Sequence, residues 1–231
     1  MELARIRLRG VYAAVAGAVL LLVVPYFQGA FLASQGYITA VQPIATHHDF
    51  APLLAWIAEH RGADRAMRLI GTAPYLLAVV LPPSLCLLLW GRLDRANRLA
   101  RISGQGGFLL FLVAGTAGIV TSATATASYA SATSAAARLA AAQSLATSYA
   151  IENLLSRTLG GLLLALFLAL ISLRVARTAI FPRWVAYVGL AVAALEAATA
   201  LLVALAPAQA ETGTSTFAHF GLAIWLLVVG L

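Results

Sequence analysis

The feature that most constrains this chain is a series of apolar runs, each about as long as a bilayer is thick. A hydrocarbon core of roughly 30 Å needs about 20 residues of apolar helix to cross it. Six segments reach or nearly reach that length, at about 11–33, 68–90, 104–124, 154–173, 184–206 and 214–231. Lipid cannot hydrogen-bond backbone groups, so such runs span only as helices. The sequence predicts an all-α, polytopic transmembrane helix bundle of about six spans, in one domain covering 1–231.

Composition agrees with a membrane protein. The chain is 62% hydrophobic and 10% charged, whereas a soluble domain needs far more polar surface around its core. All 15 basic residues are arginine, and the abundance of Ala and Leu fits a GC-rich bacterial genome. These arginines lie in short clusters beside apolar runs, so we interpret the net charge of +7 as an orientation signal and expect no nucleic-acid partner. The single Cys86 rules out a disulfide framework.

Arginine counts predict how the spans are oriented. Ten arginines fall on one side of the six runs, in the N-terminal segment and in two compact loops near 92–101 and 174–183, and five fall on the other. The positive-inside rule therefore places both termini and the two basic loops in the cytoplasm, in a bacterial cytoplasmic (inner) membrane. Trp90 and Trp184 then lie at the cytoplasmic boundary. The first run is too long for a signal peptide and lacks an A-x-A site, so we expect an uncleaved helix.

Two regions outside the runs carry their own patterns. In loop 34–67, the stretch APLLAWIAEH places four large apolar side chains on one helical face, which predicts a short helix on the membrane surface. The stretch 121–148 is rich in Ala, Ser and Thr but has no Gly or Pro, which favours helix. We expect the third helix to continue past the membrane or to fold back as a helical hairpin, with disorder as the alternative.

Glu196 is the one acidic residue in the middle of an apolar run, AVAALEAATALLVAL. A charge near the bilayer centre is costly, so such acids face the bundle interior and often have a role. We expect a protonated Glu196 that either contacts a neighbouring helix or acts as a candidate proton or ligand site. It borders a stripe of small residues at Gly189, Ala193 and Ala197, whose spacing lets helices approach closely. For a structural role, the expected partners are Ser84, Thr116 or a backbone carbonyl.

The segment THHD is the most ligand-like cluster in the chain. Adjacent imidazoles and a carboxylate suit Zn²⁺ or Cu²⁺, although metal motifs have tighter spacings. The candidate metal ligands are His47, His48, Asp49, His60 and His219. Solvated loop histidines are the plainer interpretation, and the sequence leaves the cofactor unknown.

Polar residues also open the fourth run, and they predict a structural ion pair. Glu152 and Arg157 lie close enough along the helix for local pairing, with Asn153 beside them. No nucleophile motif, Walker loop or dinucleotide fingerprint is present in the sequence. We therefore predict no catalytic residues and lean against an enzyme.

The stretches FPRWVAYVGLAVAALEAATALL and RANRLARISG carry a resemblance to known sequences. They resemble a large group of uncharacterised bacterial multi-pass membrane proteins, of the domain-of-unknown-function type, in which a basic turn leads into the penultimate helix. The resemblance covers mainly residues 95–205. It implies a fold of six helices and no catalytic residues.

Three functions are compatible with these patterns. The scarcity of polar residues within the runs favours a non-catalytic accessory subunit, which would contact lipid and other membrane protein subunits. A small proton- or solute-coupled transporter using Glu196 is the second hypothesis. The third is a membrane protein with an extracytoplasmic metal or ligand site at His47, His48 and Asp49.

Overall fold

The computed structural model describes residues 19, 21–24, 27–28, 30–47, 49–90, 94–178, 181–205, 221–225 and 228. The described residues contain helices and no strand, which confirms the all-α prediction. Most of the first run and of the last run lies outside them. Within those runs, residues 21–24, 27–28, 30–34 and 221–225 are helical.

The helices between these ends follow one another with short connections. They are α1 (Tyr37–His47), α2 (Ala51–Glu59), α3 (Arg61–Ala78), α4 (Leu81–Trp90), α5 (Arg95–Ser131), α6 (Ala135–Asn153), α7 (Gly161–Ala176) and α8 (Arg183–Leu205). A seven-residue π-helix, Leu154–Gly160, joins α6 to α7, so that 135–176 is one continuous helical rod. A turn at 79–80 separates α3 from α4, between Pro74 and Pro82, neither of which has an N–H to donate.

Four helical rods are long and apolar enough to cross a membrane, namely 61–90, 95–131, 135–176 and 183–205. They contain the second to fifth runs of the sequence, which confirms the membrane-protein assignment at the level of length and composition.

The Ala/Ser/Thr-rich segment forms a helical hairpin. Helix α5 continues to Ser131, the backbone is extended at Ala132, and α6 begins three residues later. Ser134 caps α6, because its hydroxyl accepts a hydrogen bond from the N–H of Ala137 at 3.2 Å. The prediction of a hairpin at 121–148 is therefore confirmed.

The amphipathic stretch 51–60 also forms a helix, but its apolar face does not lie on a membrane surface. Leu53, Leu54, Trp56 and Ile57 are all less than 10% exposed. They pack with Ile44 and Phe50 and with the ends of α5 and α6 in an apolar cluster of their own. We call this unit, formed by α1, α2 and the ends of α5 and α6, the cap. The amphipathic pattern identified the helix and its buried face, but the hairpin covers that face instead of lipid.

A second, larger apolar core lies along the spanning helices, and at its far end α4 and α7 come together. Arg174 at the end of α7 donates from Nε to the carbonyl of Leu89 at 3.1 Å, and its guanidinium lies over the Trp90 ring. This contact brings the end of α4 and the end of α7 together at one end of the bundle, opposite the cap. Trp90 is buried under Arg174, whereas Trp184 is 54% exposed.

Candidate functional site

A polar cavity of about 380 Å³ lies at the cap end of the bundle. Its walls come from α1, α3, α5, α6, the π-helix and the helical segment before α1. Four ionisable side chains and three tyrosines line it, namely Asp64, Arg68, Glu152, Arg157, Tyr37, Tyr75 and Tyr149. The polar residues, which are scarce along each run, are therefore concentrated in one place.

Asp64 and Arg68 form the fixed ion pair of this cavity. They are one turn apart on α3, and Arg68 Nε lies 3.1 Å from each carboxylate oxygen of Asp64. Ser122 on α5 donates to Asp64 Oδ2 at 3.3 Å. Asp64 is only 8% exposed, so its charge is stabilised by its partners and not by water. The opposite charges of Asp64 and Arg68 therefore balance each other in the wall of the cavity.

Glu152 faces the same cavity from α6 and is held by α5. Its Oε1 accepts a hydrogen bond from the Thr121 hydroxyl at 3.3 Å. Gly118 makes this approach possible, because a Cβ at that position would lie 2.6 Å from Glu152 Oε2. Another glycine of the same helix, Gly115, leaves room in the same way for Thr72. These two glycines of α5 therefore admit polar side chains into a helix contact.

Arg157 lies in the π-helix and lines the cavity. The predicted ion pair between Arg157 and Glu152 is not formed, and Arg157 has no hydrogen bond or ion pair with any described residue. The local reason is that Glu152 turns towards Thr121 on α5. A π-helix inserts an extra residue into a turn, an arrangement often found at functional sites. In this protein the π-helix carries Arg157, whose guanidinium has no ion pair with a described residue.

Aromatic residues connect the cavity to the cap. Tyr37 packs edge-on against Trp56, with ring centroids 5.1 Å apart, and Tyr149 packs against Phe50 at 5.9 Å. Burial raises the pKa of the Tyr37 hydroxyl, so this group is a neutral hydrogen-bonding group at ordinary pH. The Trp56 indole donates to the carbonyl of Gln35 at 2.7 Å, which fixes the cap over the cavity.

Glu196 lies elsewhere, among close-packed helices. It is 3% exposed on the buried face of α8, and its Oε1 has no hydrogen-bond partner among the described residues. Its main-chain and side-chain oxygens lie about 4.0 Å from where a Cβ on Gly161 would be. The expected partners are engaged in their own helices, because Ser84 donates to Val80 and Thr116 to Leu112. Glu196 does not line the polar cavity.

The stripe of small residues beside Glu196 is a helix contact, as its spacing predicts. A Cβ on Gly189 would overlap Ser172 Oγ of α7 and lie 2.5 Å from the Trp225 indole nitrogen. Trp225 in turn donates to the carbonyl of Val185 at 3.1 Å. Gly189 is therefore the point where α7, α8 and the 221–225 segment meet.

The histidine cluster divides between described and undescribed residues. His48 and His219 lie outside the described residues, so the five-residue metal site stays a prediction. His47 is exposed at the end of α1, and Asp49 accepts from the N–H of Ala51 at 2.9 Å. His60 stacks on Trp56 with ring centroids 4.7 Å apart. The described residues contain no group of three His, Cys, Asp or Glu side chains that could hold a metal ion.

Sequence reasoning identified Glu152, Asn153 and Arg157 as a polar group but missed its main neighbours. Asp64 and Arg68 were assigned to an external loop and a span end, and Tyr37 and Tyr149 carried no signal. One available signal was the four-residue spacing of Asp64 and Arg68 at the start of an apolar run. Another was the pair Gly115 and Gly118, which thins one face of α5.

Comparison with family models, curated proteins and solved structures finds no match to this chain. The resemblance to uncharacterised multi-pass proteins therefore stays a prediction, and the polar cavity is the basis for a functional assignment.

Proposed function

We propose that this protein is a polytopic membrane protein that binds a small zwitterionic solute in the polar cavity, as the binding step of a solute carrier. The observation that carries the proposal is that Arg157, which has no ion pair with a described residue, lies on the wall of a cavity that also holds Glu152.

The charges of the cavity support a ligand with both signs. Asp64 and Arg68 neutralise each other, which leaves Arg157 and Glu152 as separated opposite charges on one cavity. A guanidinium binds carboxylate or phosphate through two parallel hydrogen bonds, and a carboxylate accepts from an ammonium group. A ligand carrying an anionic and a cationic group would satisfy both, as an amino acid does.

The size and walls of the cavity also fit a small solute. Its volume of about 380 Å³ falls at the lower end of the range for small-molecule sites. Phe111, Leu21 and Leu32 supply apolar wall, while Tyr149 and Asn153 supply further polar groups. Such a mixture orients a ligand by a few polar contacts and buries the rest of it.

The proposal is tested by thermal unfolding of the purified protein in detergent with candidate solutes. The probes are glycine, serine, glutamine and phosphoethanolamine, with acetate and methylammonium as compounds that carry one charge. We expect at least one zwitterion to raise the unfolding midpoint in a saturable way, because it binds only the folded state. The proposal is overturned if no probe stabilises the protein. It is also overturned if acetate or methylammonium raises the unfolding midpoint as much as every zwitterion does.

Two variants assign such binding to the cavity. Arg157→Gln and Glu152→Gln each remove one charged partner, and we expect each to weaken binding about tenfold or more. Arg138→Gln is the matched control, because Arg138 is an exposed arginine on α6 outside this cavity. Equal affinity in Arg157→Gln and Arg138→Gln would contradict the assignment.

For the membrane orientation we propose six spans with both termini and the arginine-rich loops in the cytoplasm of a bacterium, and the cap outside. The arginine counts and the Arg174–Leu89 contact, which joins the ends of α4 and α7 next to these arginine-rich segments of the sequence, support it. A membrane-impermeant maleimide should label Arg138→Cys in intact cells and leave Arg98→Cys unlabelled. The reverse pattern would invert the orientation.

An accessory subunit remains the second candidate, and the scarcity of polar residues within the apolar runs favours it. Purification that recovers stoichiometric membrane partners would support that function. A proton-coupled role for Glu196 and a metal site at His47, His48 and Asp49 are further hypotheses. Proton flux in liposomes that survives Glu196→Gln would dismiss the former, and purified protein without bound transition metal would dismiss the latter.

A further inference from the structure

A second cavity, of about 230 Å³, lies between α3 and α5 and shares Asp64 with the first. Its wall includes the guanidinium-bearing residues Arg61 and Arg65 on α3 and Thr126 on α5, with apolar atoms from Ile57 and Ile119. Asp64 thus lies between the two cavities. A role for the second cavity does not depend on the function proposed for the first.

Thr126 is the buried polar group of this second cavity. It is 2% exposed, and its hydroxyl has no hydrogen-bond partner among the described residues. Other threonines of α5 behave differently, since Thr116 and Thr124 donate to the carbonyls one turn earlier at 2.8 Å and 2.9 Å. A hydroxyl that is buried without such a bond costs free energy unless a ligand completes it.

Arg61 and Arg65 supply positive charge at the mouth of the cavity. They are one turn apart on α3, both are exposed, and neither forms an ion pair with a described residue. The carboxylate of Asp64 does not cancel this charge, because Arg68 occupies both of its oxygens. The cavity therefore offers two guanidinium groups and one hydroxyl that have no ion pair or hydrogen-bond partner among the described residues, which is a donor set suited to a phosphate.

The surface that continues from the arginines is apolar. Leu69 and Leu76 follow on the same face of α3 and are 53% and 61% exposed, and Val80 in the turn after α3 is 56% exposed. Arg61 and Arg65 thus lie at the end of a stripe that an acyl chain could cover, within a rod long enough to cross a membrane. Arginines at the end of a spanning helix lie at the depth of lipid headgroups.

We propose that the second cavity, between α3 and α5, binds a phosphate group through Arg61, Arg65 and Thr126. The phosphate belongs to a phospholipid whose acyl chain lies along Leu69 and Leu76. The phosphate receives hydrogen bonds from both guanidinium groups and from the threonine hydroxyl. Free phosphate presents the same oxygens without the chain, so the two sources are separated by experiment.

The experiment measures the unfolding midpoint of the full-length protein in detergent during titration with three probes. These are a phosphatidylglycerol, a diacylglycerol with the same chains, and inorganic phosphate. We expect phosphatidylglycerol to stabilise the protein at the lowest concentration and the diacylglycerol to have much less effect. Stabilisation by inorganic phosphate alone would replace the lipid by free phosphate, and stabilisation by the diacylglycerol equal to that by phosphatidylglycerol would overturn the site.

Thr126→Val is the sharpest variant, because it keeps the shape of the side chain and removes the unpaired hydroxyl. We expect phosphatidylglycerol to bind it about tenfold more weakly, as for a lost hydrogen bond to a charged group. Lipid-free stability should not fall. Thr124→Val is the matched control, since its hydroxyl is exposed and bonded within its own helix. Equal lipid affinity in the two variants would overturn the role of Thr126.

Arg65→Gln provides an independent variant at an exposed position, where folding should be unaffected. It should weaken phosphatidylglycerol binding at least as much as Thr126→Val does, and Arg138→Gln should not. If the Arg65→Gln and Arg138→Gln variants bind phosphatidylglycerol equally, the arginines of the second cavity do not bind the phosphate and the proposal fails.

Discussion

Asp64 and Glu196 are two carboxyl groups buried in the same bundle, and their surroundings differ in one decisive respect. Asp64 is 8% exposed and has an arginine on its own helix and a serine on the next. Glu196 is 3% exposed, and its Oε1 meets no donor among the described residues. Asp64 lies on the walls of two cavities, and Glu196 lies beside the packed stripe of small residues that includes Gly189.

This difference shows that burial within the bundle does not by itself determine whether a carboxyl group has partners. A carboxylate with a preformed cation can remain charged and organise other polar groups around it. A carboxyl group without a cation is cheapest when it is neutral and packed. We therefore assign the chemistry of this protein to the Asp64 end, and the following variants test that contrast.

The largest expected effect is that of Arg68→Met, which leaves the Asp64 charge buried without its partner. We expect a loss of about 3 kcal/mol in the free energy of unfolding. The measurement is reversible denaturation in detergent. The double variant Asp64→Asn/Arg68→Met should recover much of the loss, because no uncompensated charge remains.

Arg65→Met is the control for this variant, since Arg65 is an exposed arginine on the same helix that has no ion pair with a described residue. It should change stability by less than about 0.5 kcal/mol. Equal losses in Arg65→Met and Arg68→Met would mean that the Asp64–Arg68 pair contributes nothing specific.

Gly189→Ala tests the packed side of the comparison. The new Cβ would overlap Ser172 and crowd Trp225, so we expect a loss of about 2 kcal/mol from overpacking. Gly62→Ala is the matched control, because a Cβ there meets nothing within 4 Å, and it should cause no loss. If both variants keep wild-type stability, the α7–α8 contact is looser than described.

Ser122→Ala removes the second partner of Asp64 while leaving the arginine. Ser122 is 1% exposed and donates to Oδ2, so we expect a loss of about 1 kcal/mol. Ser131→Ala, at an exposed serine near the end of the same helix, should have no measurable effect. An unchanged midpoint in Ser122→Ala would show that Arg68 alone satisfies Asp64.

Glu196→Gln should have the smallest effect. A glutamine has the shape of a protonated glutamate, so we expect stability to change by no more than about 0.5 kcal/mol. A gain of more than about 1 kcal/mol would instead indicate that Glu196 is ionised in the native protein, because neutralising a buried unpaired charge is favourable. That result would weaken the contrast with Asp64.

Much of the fold could be predicted from local patterns. The apolar runs at 68–90, 104–124 and 154–173 lie within long rods, the run at 184–206 matches the rod 183–205 over its described residues, and the Ala-rich stretch forms the hairpin. Glu196 follows Gly189 by seven positions, which is about two helical turns, so the sequence also indicated that both lie on one face of the helix. These features depend on residues within a few turns of each other, and helix periodicity displays them directly.

The polar cavity could not be predicted in this way. Ser122 is 58 residues from its acceptor Asp64, and Thr121 is 31 residues from Glu152. Sequence proximity predicted an ion pair between Glu152 and Arg157, but Glu152 accepts a hydrogen bond from Thr121 of α5 instead. Gly118 decides that choice, because only a residue without a side chain admits the carboxylate there.

The sequence by itself determined that this chain forms long apolar helices with basic loops and a helical hairpin, because these depend on local composition and period. Only the tertiary structure decided which polar side chains meet. It joined Asp64, Arg68, Glu152 and Arg157 in one cavity and left Glu196 packed, since a contact between helices depends on how they cross and on where a glycine lets them approach.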